Sequence, residues 1–151
     1  MPKEDRIVRG PQKSKNENMI NPKHEISNTK QYRNINDKNP RQYDLEERTL
    51  KFAKEVFRFV KGLPKSVVNA EIAKQLVRSS GSIGANYIEA NESLSKKDFL
   101  MRIKISRKES KESIYWLRLI ETTDEEKTRE SLIGEATELM KIFGSIAEKT
   151  K

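Results

Sequence analysis

From residue 43 to the C-terminus, apolar residues recur every three to four positions, and no segment shows the Val, Ile and Thr alternation typical of a strand. The pattern is clearest from about Asn69 to Ala90. Its inward positions are Ile72, Ala73, Leu76, Val77, Ser80, Ile83, Gly84, Tyr87 and Ile88. Such spacing places apolar side chains on one face of an α-helix. The chain is therefore predicted to be all-α.

Four helices are predicted in this region. The first runs from about Leu45 to Lys61, with Asp44 as its N-cap, and the second covers about residues 69–90. The third begins after Ser95 and reaches about Ile120, and the fourth follows Asp124. Because the connections are short, the expected architecture is an up-down-up-down four-helix bundle.

The first 42 residues have a different composition. They contain 10 Lys or Arg and 5 Asp or Glu, seven asparagines and one aromatic residue, and their few aliphatic residues follow no periodicity. Such a segment buries too little apolar surface to offset the entropy lost on ordering. We predict a disordered basic tail over residues 1–42 and a single bundle domain over residues 43–151.

Composition also excludes several kinds of site. The chain has no cysteine and one histidine, His24, which excludes disulfides, thiolate metal sites and His-rich metal sites. No catalytic residue, cofactor or metal is predicted. No apolar run approaches the roughly 20 residues of a membrane span, and the first residues lack the apolar stretch of a secretory signal. We expect a cytoplasmic protein.

The second helix contains an unusual run, Ser79 to Asn86, with glycines at positions 81 and 84. Each interior glycine costs about 1 kcal/mol of helix stability relative to alanine, and close approach of another helix is the usual reason for one. The alternative is the Gly-x-x-Gly loop with which one RNA-binding module clamps nucleic-acid backbone. Because that module needs flanking strands, packing is the favoured interpretation.

The run from Arg78 to Glu89 resembles the central motif of the 23S rRNA-intervening-sequence (S23) proteins, a family of four-helix bundles. Its Arg-Ser, Ser-Ile-x-Ala-Asn and Glu elements fall at the family's spacing. The resemblance covers about residues 44–147. The motif and structural residues are Arg78, Ser82, Gly84, Asn86, Glu89 and Glu112, and further matches are residues 95–99 and Leu117. The departures are Tyr87, Ile88, Ala90 and Arg102.

The resemblance implies a homopentameric ring. It also implies a family name that comes from genomic location rather than from a demonstrated ribosomal role. A related branch, the accessory variability determinants of diversity-generating retroelements, binds a reverse transcriptase and nucleic acid. Both kinds of partner are therefore expectations for this chain.

The third helix carries apolar residues on two faces. At 100° per residue, Phe99, Ile103 and Leu117 fall on the face predicted to point into the bundle. The roughly opposite face carries Met101, Ile105, Trp116 and Leu119. Because a peripheral helix needs only one apolar stripe, we predict that these four residues form a subunit interface. Scattered surface apolar residues are the alternative.

Polar residues of the second and third helices are predicted to pair across an antiparallel hairpin. The expected pairs are Arg78 with Glu112 and Glu89 with Arg102, whose role would be to set register rather than to add much stability. Glu109 lies one turn before Glu112, but the Glu-x-x-His motif of di-iron bundles is missing, which disfavours a catalytic carboxylate pair.

Basic residues crowd the third helix. The candidates for nucleic-acid contact are Lys96, Lys97, Arg102, Lys104, Arg107, Lys108 and Lys111. Acidic residues are interspersed, so a solvated face is an equal alternative. The first hypothesis is a non-enzymatic, self-assembling adaptor that binds RNA or DNA with weak sequence selectivity. The alternative is a protein-interaction scaffold for a partner enzyme such as a reverse transcriptase, without direct nucleic-acid binding.

Overall fold

The computed structural model describes residues 40–151, which form four α-helices and no strand. Their bounds are α1 (Pro40–Lys61), α2 (Val67–Asn91), α3 (Lys96–Leu119) and α4 (Glu126–Lys149). The all-α prediction is confirmed. The predicted disordered tail falls on residues 1–39, which lie outside the described residues, and on residues 40–42, which are the first turn of α1.

The start of α1 differs from the prediction. The helix begins at Pro40 rather than near Leu45, so Asp44 lies inside it instead of serving as the N-cap. Proline suits a first helical position because its φ is already near the helical value and its missing N–H would have no partner there. The ends of the other three helices agree with the predicted ends to within about two residues.

Side chains of the loops hold two helix ends in place. Ser66 caps α2 by accepting a hydrogen bond from the Asn69 N–H at 3.0 Å, and Ser95 caps α3 in the same way through Asp98. The buried Asn69 amide donates to the carbonyls of Pro64 and Glu121 and accepts from the Glu121 N–H, each at 3.0 Å. One side chain therefore ties the start of α2 to the loop after α3.

Each helix packs against its neighbours in sequence, and α4 closes back on α1. Side-chain contacts pair early residues of one helix with late residues of the next, so neighbouring helices are antiparallel and the bundle has up-down-up-down topology. Between α1 and α4, the Arg48 guanidinium makes a bidentate ion pair with Glu135 at 2.6 and 3.0 Å. The fully buried core includes Phe52, Val56, Leu76, Ile83, Ile103, Leu117, Leu139 and Phe143.

Small residues bring α2 close to both of its neighbours. On the α1 side, a Cβ on Gly84 would lie only 2.8 Å from Thr49 Oγ1 and 3.2 Å from Thr49 Cβ. On the α3 side, the Ser79 and Ser113 hydroxyls hydrogen-bond to each other at 2.8 Å, and the Ser106 hydroxyl donates to the Ile83 carbonyl at 3.0 Å. Packing thus explains Gly84 and Ser79 in this run.

Candidate nucleic-acid interface

The polar residues at the flank between α2 and α3 form two ion-pair groups. The Arg78 guanidinium bonds to Glu112, and the Arg102 guanidinium lies 2.9 Å from Glu89 and donates to Asn86 Oδ1 at 3.1 Å. These are the partners that the hairpin register predicts. Asn86 in turn donates to the backbone carbonyl of Ser82, so it links the helix backbone to Arg102.

Glu109 lies at the same flank but is buried. Its residue is 7% exposed, and its Oε2 atom has no hydrogen-bond partner and lies 3.8 Å from the Arg78 guanidinium. Burial raises the pKa of Glu109, the Glu112 carboxylate raises it further, and Arg78 opposes both. The Glu112 carboxylate, in contrast, has two hydrogen-bond donors, because it accepts from the Trp116 indole at 3.1 Å in addition to Arg78.

The remaining cations of α3 share another side of the helix. At 100° per residue, they fall within an arc of about 100°. We call this set the basic stripe, and it consists of Lys97, Lys104, Arg107, Lys108, Lys111 and Arg118. All six are exposed, and none is within 4 Å of a carboxylate among the described residues. Lys96 is exposed in the first turn of the same helix.

Acidic and basic side chains that alternate along the sequence are thus separated in space. Glu109 and Glu112 turn toward Arg78 on α2, while the basic stripe covers the outward side of α3, and its Arg107 lies next to Gly144 of α4. Arg102 belongs to the α2 flank and not to the stripe. One carboxylate of α4, Glu148, lies near the stripe; its hydrogen bond to Lys151 lowers its pKa, and the charges of Arg107 and Lys104 lower it further.

The side chain of Arg107 lies across α4. A Cβ on Gly144 would be 3.4 Å from its Nε and 3.6 Å from its Cζ, so the absence of a side chain at Gly144 leaves room for the guanidinium. The stripe therefore extends from the outward side of α3 to the groove between α3 and α4. Neither this groove nor any other place in residues 40–151 brings together three metal-ligating side chains.

The four residues predicted to form a subunit interface differ in exposure. Met101 and Leu119 are 49% and 45% exposed, whereas Ile105 and Trp116 are half-buried. Trp116 packs against the core in addition to its bond to Glu112. We call these four residues the outer strip. It borders the α2 flank, on the side of α3 away from α4.

The Gly81–Gly84 segment has none of the geometry of a nucleic-acid clamp. Both glycines lie within the continuous helix α2, and no strand flanks them in the described part of the chain. A clamp of that kind presents the backbone of an exposed loop between strands. The segment therefore contributes no element to a binding surface of this type, and its Gly84 serves the packing of α2 on α1.

Comparison with known protein families identifies the family of this chain. The family model described as 23S rRNA-intervening sequence protein matches residues 41–145. The chain belongs to this family. The match covers all four helices except Pro40 at the start of α1 and the last residues of α4, so membership in the S23 family, which the Arg78–Glu89 motif predicts, is confirmed.

A solved member of the family has a similar fold. It is a protein of unknown function from the S23 ribosomal protein family of Bacteroides thetaiotaomicron, 33% identical to this chain. The similarity covers 68% of this chain and 96% of that protein, with a TM-score of 0.57. Among curated proteins, none matches this chain.

Three residues of the region were not singled out from the sequence. The sequence pattern marks Asn69 only as the approximate start of α2, and it indicates neither the burial of Glu109 nor the position of Tyr115 on α3. The only available signal for Glu109 was its position one turn before Ser113 on the inward face. The burial of Glu109 depends on where α2 packs against α3.

Proposed function

We propose that this S23-family protein is a non-enzymatic adaptor that assembles with copies of itself and binds the phosphate backbone of RNA or DNA through the basic stripe. The observation that carries the proposal is the separation of charge on α3. Six exposed cations lie on one side of the helix without ion-pair partners among the described residues, while Glu109 and Glu112 are directed to Arg78.

Backbone binding is the chemistry that such a stripe supports. Lysine and arginine side chains neutralise phosphates and release counterions, which gives affinity without base recognition. The stripe from Lys104 to Arg118 extends about 21 Å along the helix axis, long enough to contact several successive phosphates. Binding is therefore expected to be sensitive to salt and weakly selective for sequence.

Self-assembly is supported by exposed apolar residues on different helices. The outer strip of α3 is one such group. The second, which we call the α1–α2 surface, consists of Leu50, Phe57 and Ile88, with exposures of 47%, 39% and 50%. A closed ring requires two different surfaces that fit each other on successive subunits. A ring would also present the basic stripe several times, which would strengthen binding to one nucleic-acid chain.

The test is a salt titration with charge-reversed variants. Lys104→Glu/Lys111→Glu should keep the fold, because both side chains are exposed and the charged residues one turn away from them on α3, Arg107 and Lys108, are basic. We expect the salt dependence of RNA binding, d log K/d log [salt], to lose about 1.5 units, roughly 0.7–0.9 for each phosphate contact removed. Fluorescence anisotropy with a labelled RNA of random sequence measures it.

The matched control is Lys54→Glu/Lys65→Glu, which changes charge equally on α1 and in the loop before α2. It should leave the salt slope within error of the wild-type value. If both pairs reduce affinity alike, only net charge matters and the basic stripe is not the interface. If the wild-type protein binds neither RNA nor DNA at low salt, the alternative of a protein-interaction scaffold replaces this proposal.

A further inference from the structure

One exposed aromatic ring lies among the cations of the basic stripe. Tyr115 is 56% exposed and lies one turn after Lys111 and one turn before Arg118. At 100° per residue it falls in the same arc as the cations of the stripe. A tyrosine in this position adds no packing to the core, whose α3 contribution comes from the opposite side of the helix.

The ring of Tyr115 is held from one side. Its centroid lies 4.9 Å from that of Trp116, with the two planes at 70°, an edge-to-face contact. Trp116 is itself fixed by its hydrogen bond to Glu112 and by packing on the core. The ring is therefore an apolar surface within a row of cations, supported on one side by the Trp116 indole.

We propose that Tyr115 is a base-stacking platform and that the nucleic acid taken by the basic stripe is single-stranded. This inference rests on the proposed function. Aromatic rings among cations bind single strands because each unpaired base offers a face for stacking while the cations follow the backbone. In a duplex, the base faces are already stacked on each other, so the ring of Tyr115 gains nothing there.

The experiment compares strands and Tyr115 variants in the full-length protein. The probes are an unstructured single-stranded RNA and a duplex of the same length, each with a fluorescent label. We expect the single strand to bind about tenfold more tightly than the duplex. Tyr115→Leu should lower affinity for the single strand by about tenfold, the scale of one base–aromatic stack, and leave duplex affinity unchanged. Tyr115→Phe should retain wild-type affinity, because it keeps the ring.

A second measurement uses Trp116, the only tryptophan of the chain. A base stacked on Tyr115 changes the surroundings of the adjacent indole, so binding of the single strand should change Trp116 emission in the wild type and in Tyr115→Phe but not in Tyr115→Leu. Leucine is chosen because it keeps an apolar side chain at this position but offers no ring for stacking. Light scattering on the same samples shows whether the substitution changes the oligomeric state.

The outcomes separate the two proposals. Equal binding of single strand and duplex, with no effect of Tyr115→Leu, overturns the stacking platform and leaves backbone binding by the stripe in place. A change of oligomeric state in Tyr115→Leu also overturns it, because the ring then acts in assembly. Absence of binding to either probe overturns the proposed function itself.

Discussion

At the scale of single residues, the two glycines of the Arg78–Glu89 motif have different environments. Gly84 faces Thr49 so closely that a Cβ would stand 2.8 Å from its Oγ1, whereas a Cβ on Gly81 meets nothing within 4 Å. Thr49 is nearly fully buried and its hydroxyl already donates to the Glu46 carbonyl. Only Gly84 is therefore required by the approach of α1 and α2.

Substitution of the two glycines tests this difference. Gly84→Leu forces α1 and α2 apart and should lower the free energy of unfolding by about 1–3 kcal/mol. Gly81→Ala should be neutral or raise it by up to about 1 kcal/mol, because alanine favours the helix more than glycine does. Urea denaturation of both variants gives the two values.

RNA affinity of the same variants provides the check. We expect Gly81→Ala to bind as the wild type does, since the segment is not a clamp. Loss of binding in both variants at unchanged stability would return the nucleic-acid site to residues 81–86.

At the scale of elements, the different sides of α3 make different contacts. Its serines contact α2 inside the bundle, Glu109 and Glu112 meet Arg78 at one flank, and the basic stripe occupies another. The position of the buried Glu109 is unfavourable for the stability of the fold, because one of its carboxylate oxygens has no hydrogen-bond partner. Burying an ionised group in this way reduces stability.

Glu109→Gln is expected to stabilise the fold in a pH-dependent manner. A carboxyl whose pKa is raised in the folded state binds more protons folded than unfolded, so its contribution to stability falls as the pH rises through the ordinary carboxyl range to the raised pKa. The glutamine variant lacks this loss and should be more stable than the wild type at neutral pH by about 1 kcal/mol. The difference should shrink as the pH approaches about 4.

Thermal unfolding of both proteins across this pH range measures the difference. Glu112→Gln is the contrasting variant, because Glu112 accepts hydrogen bonds from Arg78 and Trp116 and its charge is favourable. We expect that variant to be less stable at neutral pH. A loss of stability in Glu109→Gln at neutral pH would show that its carboxylate makes a net favourable contact with Arg78.

At the scale of the whole molecule, two groups of exposed apolar residues lie on different helices of residues 40–151. The outer strip belongs to α3, and the patch of Leu50, Phe57 and Ile88 belongs to α1 and α2. Exposed apolar surface of this kind is typical of interfaces between subunits. Contact between these surfaces on successive copies would generate the ring that the resemblance implies.

No described helix has the length and apolar content needed to cross a membrane.

Light scattering at tens of micromolar should therefore report a homo-oligomer, expected to be a pentamer. Met101→Glu and Leu119→Glu should reduce the mass toward that of the monomer, because both side chains are about half exposed and make no other bond. Trp116→Glu is a less specific variant, since it also removes a core contact and the bond to Glu112.

Two further variants complete the experiment. Leu94→Glu is the control: this residue is 97% exposed in the loop between α2 and α3, outside both surfaces, and should leave the mass unchanged. Phe57→Glu should reduce the mass if the outer strip of one subunit meets the α1–α2 surface of the next. A wild-type protein that is monomeric at these concentrations contradicts the assembly proposal.

The sequence by itself determined the fold class and most of the helix ends. Helical periodicity, Ser95 as a cap and short connections are local or nearest-neighbour signals, and they predicted four antiparallel helices. The antiparallel register even predicted the Arg78–Glu112 and Glu89–Arg102 pairs, because a hairpin of two straight helices has a single adjustable offset. The predicted start of α1 is one turn too late, because the sequence offers two suitable helix starts, Pro40 and Asp44, and the helix begins at Pro40.

Only the tertiary structure decided which charges are free and which glycine is required. Acids and bases alternate along the sequence of α3, and their separation depends on the positions of Arg78 and α4 around that helix. Gly81 and Gly84 have the same chemistry in the sequence, and the difference between them is the position of Thr49 on α1. The burial of Glu109 and the exposure of Tyr115 have the same origin. Each depends on which neighbour a side chain meets, and residues distant in the sequence supply that neighbour.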